Sequence, residues 1–214
     1  MDVREDVTAR DLPWSWAGTE EPITVTVVEG PAATVLFGTG DDSTADDLLA
    51  VAREFDVDVA VAEHGDVDHY GGIPHLVDAL DPTIAIPAGD AFALEEAGVP
   101  FDVAMEVGET YWGVETIPVP GHTPDNAAYR YGDVLIAGDA VCGSDSPFAM
   151  AGDWPGTLAP LADQFNHDTA RTLESVARLG DLDVETVLTA HGQHALEDGA
   201  REIAALIDAI EERS

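Results

Sequence analysis

Short apolar runs alternate along the chain with longer segments in which apolar residues recur every three or four positions. The short runs are rich in Val, Ile and Ala, a composition typical of buried strands. The longer segments carry one apolar face and stop near Gly, which is typical of amphipathic helices. Strands are predicted at 23–29, 33–37, 57–62, 83–86, 114–119, 127–131, 133–137 and 185–189. Helices are predicted from Ser43 or Thr44, as the capping residue, to about 55, and at 73–80, 88–97, 169–179 and 197–211.

The order of these elements predicts the fold class. The first two strands form a hairpin through the turn at Gly30 and Pro31, and later strands alternate with helices. Such a mixture predicts sheets covered by helices, an α+β arrangement. The sequence shows no internal repeat and no low-complexity linker, so we expect residues 1–214 to form a single domain.

The charge of the chain is extreme. It has 43 acidic residues, 8 Arg and no Lys, which gives a formal net charge of -35. At molar salt the Debye length falls to about 3 Å and the self-repulsion is screened. An acidic surface of this kind resembles that of cytoplasmic proteins of extreme halophiles, with a surface made for a basic partner as the alternative. The same charge disfavours nucleic acid as a partner.

Compartment and membrane signals are few. Cys142 is the single cysteine, so an intrachain disulfide is excluded. The first ten residues are acidic and lack the apolar core of a secretory signal. No apolar run approaches the length of a membrane span, and we therefore expect a cytoplasmic protein without a membrane partner. The oligomeric state is not predicted.

The candidate chemistry begins in the run His64-Gly-Asp66-Val-Asp68-His69. Four side chains that can bind metal fall within six residues, directly after the predicted strand 57–62. A buried strand holds a ligand rigidly, and a neighbouring glycine lets the backbone turn closely around an ion. The run therefore predicts a metal site.

Three later residues occupy the same kind of position. His122, Asp139 and His191 each follow an apolar strand-like run and each lies next to a glycine. Nitrogen and oxygen ligands of these types suit zinc, iron or manganese.

In this order the motifs resemble the metallo-β-lactamase superfamily, whose hallmark is His-x-His-x-Asp-His, a later Gly-His, a later Gly-Asp and a final His. The agreement runs from the turn at 38–40 to the turn at 190–192. The resemblance implies a four-layer αβ/βα sandwich, a metal-dependent hydrolase and two divalent metal ions. A water or hydroxide that bridges the ions would attack the substrate.

The resemblance also implies a role for each ligand. One ion would be held by His64, Asp66 and His122, and the other by Asp68, His69 and His191. Asp139 would bridge the two ions. Asp68 would in addition be catalytic, as the residue that orients the attacking water or takes its proton.

Asp66 departs from the hallmark, which has histidine at this position. A carboxylate still binds metal, but it shifts the preference towards harder ions. Zinc remains the first expectation for the two ions, with iron or manganese as alternatives. Carboxylates at this position resemble those of the flavodiiron proteins and of the nuclease-like domain of DNA-uptake channel proteins.

The substrate is expected to be a small molecule with an ester, thioester, lactone or related bond. Glyoxalase II-like thioesterase action is one possibility, although only Arg201 and Arg213 are basic after His191, which disfavours a glutathione thioester. The alternatives are a di-iron oxidoreductase that needs a partner, a phosphodiesterase or nuclease, which the scarcity of basic residues disfavours, and a scaffold with a degenerate site.

Two variable segments are expected to form the loops of the pocket, at 1–18 and 143–164. Phe148, Met150, Trp154 and Phe165 would form its walls. His167 would line the cleft or cap the helix 169–179, while His194 would begin the last helix. Cys142 is expected to be a small buried residue.

Overall fold

The computed structural model describes residues 1–213 and places most strands in two sheets. The seven-stranded sheet has the strand order Asp2–Arg4, Val7–Leu12, Ile23–Glu29, Thr34–Phe37, Val59–Val61, Thr83–Pro87, Val103–Met105. The five-stranded sheet has the order Thr110–Tyr111, Val114–Pro118, Ala127–Tyr131, Val134–Gly138, Thr186–Thr189. The α-helices are Ala45–Glu54, Val67–Tyr70, Ile73–Ala79, Ala91–Ala97, Thr169–Val176 and Gly199–Glu211.

The central strands of both sheets are buried on two faces, which explains their apolar sequences. In the strand Val59–Val61, the side chains of Val59 and Val61 belong to the core between the sheets, and Ala60 belongs to the core under the helices. This alternation is the two-residue period of a strand. The inner core also contains residues of the smaller sheet, and a third core packs that sheet against the last two helices. The α+β class and the αβ/βα sandwich are therefore confirmed.

Strand direction brings the candidate ligands to one edge. The strands Thr34–Phe37, Val59–Val61 and Thr83–Pro87 are parallel neighbours. In the smaller sheet, Val114–Pro118 and Val134–Gly138 both pair antiparallel with the strand between them, so they run in the same direction. Parallel strands end at the same edge of a sheet, and the loops that follow them lie together.

The N-terminal segment corrects one prediction. Residues 1–18 are not a loop, because Asp2–Arg4 and Val7–Leu12 are antiparallel strands of the larger sheet. The alternation was obscured because Val7, Thr8 and Ala9 are all buried. The short strand Val103–Met105 was also not predicted from the sequence.

Two predictions about helix ends are also corrected. Thr44 occupies the N-cap position of the first helix, as one of the two residues predicted, but its side chain makes no capping hydrogen bond. The Asp41 carboxylate instead accepts a hydrogen bond from the Ser43 backbone N–H and caps the short 3₁₀ turn before the helix. His194 does not begin the last helix, which starts at Gly199. Within residues 1–213 no helix combines the length and the apolar content that a membrane span needs.

Candidate metal centre

The first candidate ligands follow the central strand Val59–Val61 of the larger sheet. His64 is fully buried, and Asp66 occupies the N-cap position of the helix Val67–Tyr70 with an extended backbone. The Asp66 side chain makes no capping hydrogen bond. It points instead towards His64 and His122. One turn of helix then carries Asp68 and His69 to the same edge.

The remaining candidates come from the smaller sheet, and glycine lets one of their loops pack closely. Gly121 precedes His122 and has a φ of +138°, and a Cβ there would lie 2.3 Å from the Thr172 backbone nitrogen. The loop therefore lies directly against the helix Thr169–Val176. Ser175 fixes this contact by donating its hydroxyl hydrogen to the Pro120 carbonyl oxygen at 2.7 Å.

His64, Asp66 and His122 form a first group of side chains. The Nε2 atoms of His64 and His122 lie 3.1 Å apart. The Oδ2 atom of Asp66 lies 3.0 Å from His122 Nε2 and 3.7 Å from His64 Nε2. A tetrahedral ion with bonds of about 2.0–2.1 Å separates its ligand atoms by about 3.4 Å. The spacing of this group therefore suits one metal ion.

Asp68, His69 and His191 form a second group. Asp68 Oδ2 lies 3.3 Å from His191 Nε2 and 3.9 Å from His69 Nε2. All three ligand atoms lie within 4.8 Å of one another. Both histidines are buried, and the Asp68 side chain is 16% exposed. The structure thus brings together the three residues that the sequence assigned to a second ion.

Asp139 lies between the two groups. Its Oδ2 atom is 3.4 Å from His122 Nε2, and its Oδ1 atom is 3.7 Å from His69 Nε2 and 3.8 Å from His191 Nε2. Asp139 Oδ1 and His69 Nε2 are buried and have no hydrogen-bond partner. Unpaired buried polar atoms are costly. These two atoms lie 3.7 Å apart within a cluster of nitrogen and oxygen ligands. This arrangement fits a metal centre.

The electrostatics of the cluster favour cations. Burial opposes protonation of His69, but the carboxylates of Asp139, Asp68 and Glu63 outweigh it and raise the pKa of His69 to about 10. Burial alone would raise the pKa of Asp68, whereas His69 and His191 lower it to about 2. For His64 the burial and the neighbouring histidines lower the pKa well below its usual value. Protons and metal ions compete for the same imidazole nitrogens.

Glu63 is a buried residue of the site that the sequence analysis missed. Its Oε2 atom lies 2.7 Å from His69 Nδ1, and the residue is only 2% exposed. Its carboxylate fills space that two glycines leave, because a Cβ on Gly38 would lie 3.0 Å from Oε2 and one on Gly138 would lie 3.3 Å from Oε1. A charged residue between an apolar strand and His64 was the available signal. Carboxylates in this position orient a ligand histidine.

Asp90 is the second residue that was missed. It is fully buried and accepts hydrogen bonds from the Gly65 backbone N–H at 3.2 Å, the Asp125 backbone N–H at 3.0 Å and the Thr123 hydroxyl. Gly65 follows His64, and Thr123 follows His122. One carboxylate therefore ties together the loops that carry the first group. The sequence offered no signal for this long-range contact.

A cleft of about 1030 Å³ opens onto the cluster. Phe148 and Phe165 line it as expected, but Met150 and Trp154 do not. Trp154 instead lies under the Arg213 guanidinium, whose carbon is 4.0 Å from the ring centroid. Of residues 1–18, two tryptophans and no others reach the cleft: Trp14 and Trp16.

The structure shows the positions of three side chains whose roles the sequence did not settle. His167 lines the cleft, while Asp168 caps the helix Thr169–Val176 by accepting from the Arg171 backbone N–H. His194 is half-buried, and its Nδ1 atom accepts a hydrogen bond from the Thr189 backbone N–H at 3.2 Å. Cys142 is buried, as predicted, and burial raises the pKa of its thiol.

The family follows from this fold and from the order of the motifs. The family model of the metallo-beta-lactamase superfamily matches residues 18–191, which include the whole cluster. The chain therefore belongs to this superfamily of metal-binding hydrolases.

Similar proteins extend the comparison. The hydroxyacylglutathione hydrolase of Methylobacillus flagellatus is 29% identical over 94 residues, which are 44% of this chain and only 37% of that relative. The metallo-beta-lactamase from Pontibacter korlensis has a TM-score of 0.74 at 18% identity, over 97% of this chain and 96% of its own. The metallo-beta-lactamase FIM-1 from Pseudomonas aeruginosa, in its mono-zinc form, has a TM-score of 0.75 at 17% identity, over 98% and 93%. These structures show the same fold.

Proposed function

We propose that the protein is a dinuclear metallohydrolase that cleaves a carboxylic ester, thioester or lactone. The supporting observation is the pair of three-residue groups with Asp139 between them. His64, Asp66 and His122 would hold one divalent ion, and Asp68, His69 and His191 the other. Zinc is the first candidate, and iron or manganese are alternatives because Asp66 supplies an oxygen ligand.

The metal ions and the residues of the chain would have separate roles in hydrolysis. When bound, two divalent ions supply a polarised scissile carbonyl group and a water molecule of lowered pKa. The Asp68 carboxylate, whose Oδ2 atom lies 3.3 Å from His191 Nε2, would orient the attacking water or accept its proton. The water oxygen bonds to the acyl carbon, the bond to the leaving oxygen or sulfur breaks, and the leaving group takes up a proton.

Metal content and hydrolysis test this proposal together. The protein should bind two equivalents of metal in molar KCl and hydrolyse members of an ester, thioester and lactone panel. Chelation should abolish the activity, and added metal should restore it. If no metal binds and no panel member is cleaved, a degenerate binding protein becomes the better explanation.

Asp66→His tests the ligand assignment. Histidine should shift selectivity towards zinc, since it replaces an oxygen ligand by nitrogen. Asp47→His is the matched control, because Asp47 is exposed on the helix Ala45–Glu54. If both variants keep the metal content and selectivity of the parent protein, Asp66 is not a ligand.

A di-iron oxidoreductase is a second candidate, and the observation that favours it is the Asp66 carboxylate 3.0 Å from His122. Such a protein would need a partner that delivers electrons. Iron in the purified protein together with oxygen consumption would favour this reaction. Zinc or manganese without oxygen uptake would contradict it.

We propose two further properties of the chain. Residues 1–214, of which the structure describes 1–213, would form one domain, since both sheets contribute to one inner core. The protein would work in a salt-rich cytoplasm, because its net charge is -35 and it has no Lys.

A further inference from the structure

The mouth of the cleft gathers exposed apolar side chains. In residues 1–213 the exposed large hydrophobic residues include Trp16 at 50%, Val67 at 58% and Phe92 at 49%, and all three line the cleft. They come from three distant parts of the chain. Exposed apolar side chains around a single cleft are typical of a binding site. A ligand with an apolar portion would cover these side chains.

The deeper wall is aromatic and is fixed by packing. The ring centroids of Phe148 and His191 lie 5.0 Å apart, and those of Trp14 and His191 lie 5.4 Å apart. Trp16 then packs edge-on against Phe148 at 6.0 Å and Phe165 at 5.6 Å. The aromatic wall therefore extends without interruption from a candidate metal ligand to the surface.

The charges around the cleft are of one sign. Asp41 and Glu96 line it in addition to the cluster carboxylates, whereas none of the 8 Arg in the described chain does so, and the sequence has no Lys. Asp41 Oδ2 accepts a hydrogen bond from Trp14 Nε1 at 2.8 Å, and Glu96 is exposed. A substrate anion outside the metal cluster would be partly desolvated beside carboxylates with no cation to pair with it, which is costly.

We propose that the cleft takes an apolar acyl substrate that carries no negative charge away from the scissile bond. This inference rests on the proposed hydrolase function and names its substrate class. Trp16, Val67 and Phe92 bind the apolar portion. Asp41 and Glu96 discriminate against anionic groups.

Matched thioesters test the discrimination. Three hexanoyl thioesters of N-acetylcysteamine would differ at the terminal carbon, which carries hydrogen, a neutral methylsulfonyl group or an anionic sulfonate. Molar KCl in the assay screens the electrostatic field of the whole protein, so that charges close to the bound substrate dominate the comparison. The ratio kcat/KM should be at least about tenfold lower for the sulfonate than for the sulfone of similar size. Equal values would overturn the inference.

A charge reversal at Glu96 tests whether the discrimination against the sulfonate arises in the cleft. Glu96→Arg should raise kcat/KM for the sulfonate by about threefold, the size of a partly exposed ion pair, and so reduce the ratio of kcat/KM between the sulfone and the sulfonate. Glu95→Arg is the matched control, because Glu95 is exposed on the same helix but does not line the cleft. An equal gain in both variants would show that net charge, and not the cleft, decides.

A binding measurement separates this inference from the proposed function. The corresponding amides resist hydrolysis, and their binding should change the fluorescence of Trp14 and Trp16. If the amides bind in the expected order while no ester, thioester or lactone is cleaved, the proposed function fails and the ligand class stands. If the thioesters are cleaved and the amides bind without any preference, the function stands and the ligand class is wrong.

Discussion

Replacement of Asp90 by Asn should weaken the first metal group more than the second. Asp90 accepts two hydrogen bonds at Oδ2, from the Gly65 N–H and the Thr123 hydroxyl, and one at Oδ1, from the Asp125 N–H. The oxygen of an amide replaces one of these acceptors. Its NH₂ group would face a donor at the other position.

The magnitude follows from this count. Two groups lose their partner, namely the new NH₂ group and the Asp125 N–H. Each unsatisfied buried group costs about 1–3 kcal/mol. Two features reduce the expected loss. The Asp125 N–H is only partly buried. Burial also raises the pKa of Asp90, so the native carboxylate is itself incompletely stabilised. We therefore expect a loss of about 3 kcal/mol in the free energy of unfolding.

Urea unfolding and metal titration in molar KCl measure the two consequences. Affinity at the group of His64, Asp66 and His122 should fall by roughly tenfold or more, a size typical of residues that support ligands. Affinity at the other group should change little. Asp58→Asn is the matched control, since the exposed Asp58 carboxylate accepts a single bond from the Thr34 N–H at 2.9 Å, away from the cluster.

Two results would refute this reasoning. If Asp90→Asn and Asp58→Asn lower the free energy of unfolding equally, the hydrogen-bond count is wrong. If Asp90→Asn is destabilised but binds both metal equivalents with unchanged affinity, Asp90 stabilises the fold without positioning the ligands.

Glu63, Gly72 and the net charge of the chain can each be tested separately. Glu63→Gln should weaken metal binding by the group that contains His69 by about 10- to 100-fold, measured by calorimetric titration, and an unchanged affinity would contradict the 2.7 Å contact to His69 Nδ1. Gly72→Ala should lower the free energy of unfolding by more than about 2 kcal/mol, because its Cβ would lie 2.0 Å from the Thr39 carbonyl oxygen. The φ of Gly72 is -79°, which alanine adopts readily, so the loss would come from this clash. Gly108→Ala has a φ of +95° but no atom within 4 Å of the added Cβ, and it should cost less in the same urea titration. Transfer from 3 M to 0.1 M KCl should lower the thermal midpoint, because the net charge of -35 is then screened over a Debye length of about 10 Å; a midpoint that does not depend on salt would exclude the halophilic interpretation.

Sequence patterns predicted most of the fold because each depends on nearby residues. The strand Ala127–Tyr131 was predicted with its observed bounds, and the helix Ala91–Ala97 ends at Gly98, which has a left-handed φ of +69°. Short apolar runs bounded by Gly and Pro are determined locally. The strand Val7–Leu12 escaped prediction because its pairing with Ile23–Glu29 buries Thr8 together with its apolar neighbours.

The sequence by itself determined the types, the order and the strand-end positions of the candidate ligands. Only the tertiary structure decided that these side chains form two groups with Asp139 between them, because their spacing depends on how the ends of two sheets meet. It also decided the roles of Glu63 and Asp90, whose partners lie at His69 and at Thr123. A buried carboxylate is stable only beside donors that face it, and folding alone places those donors there.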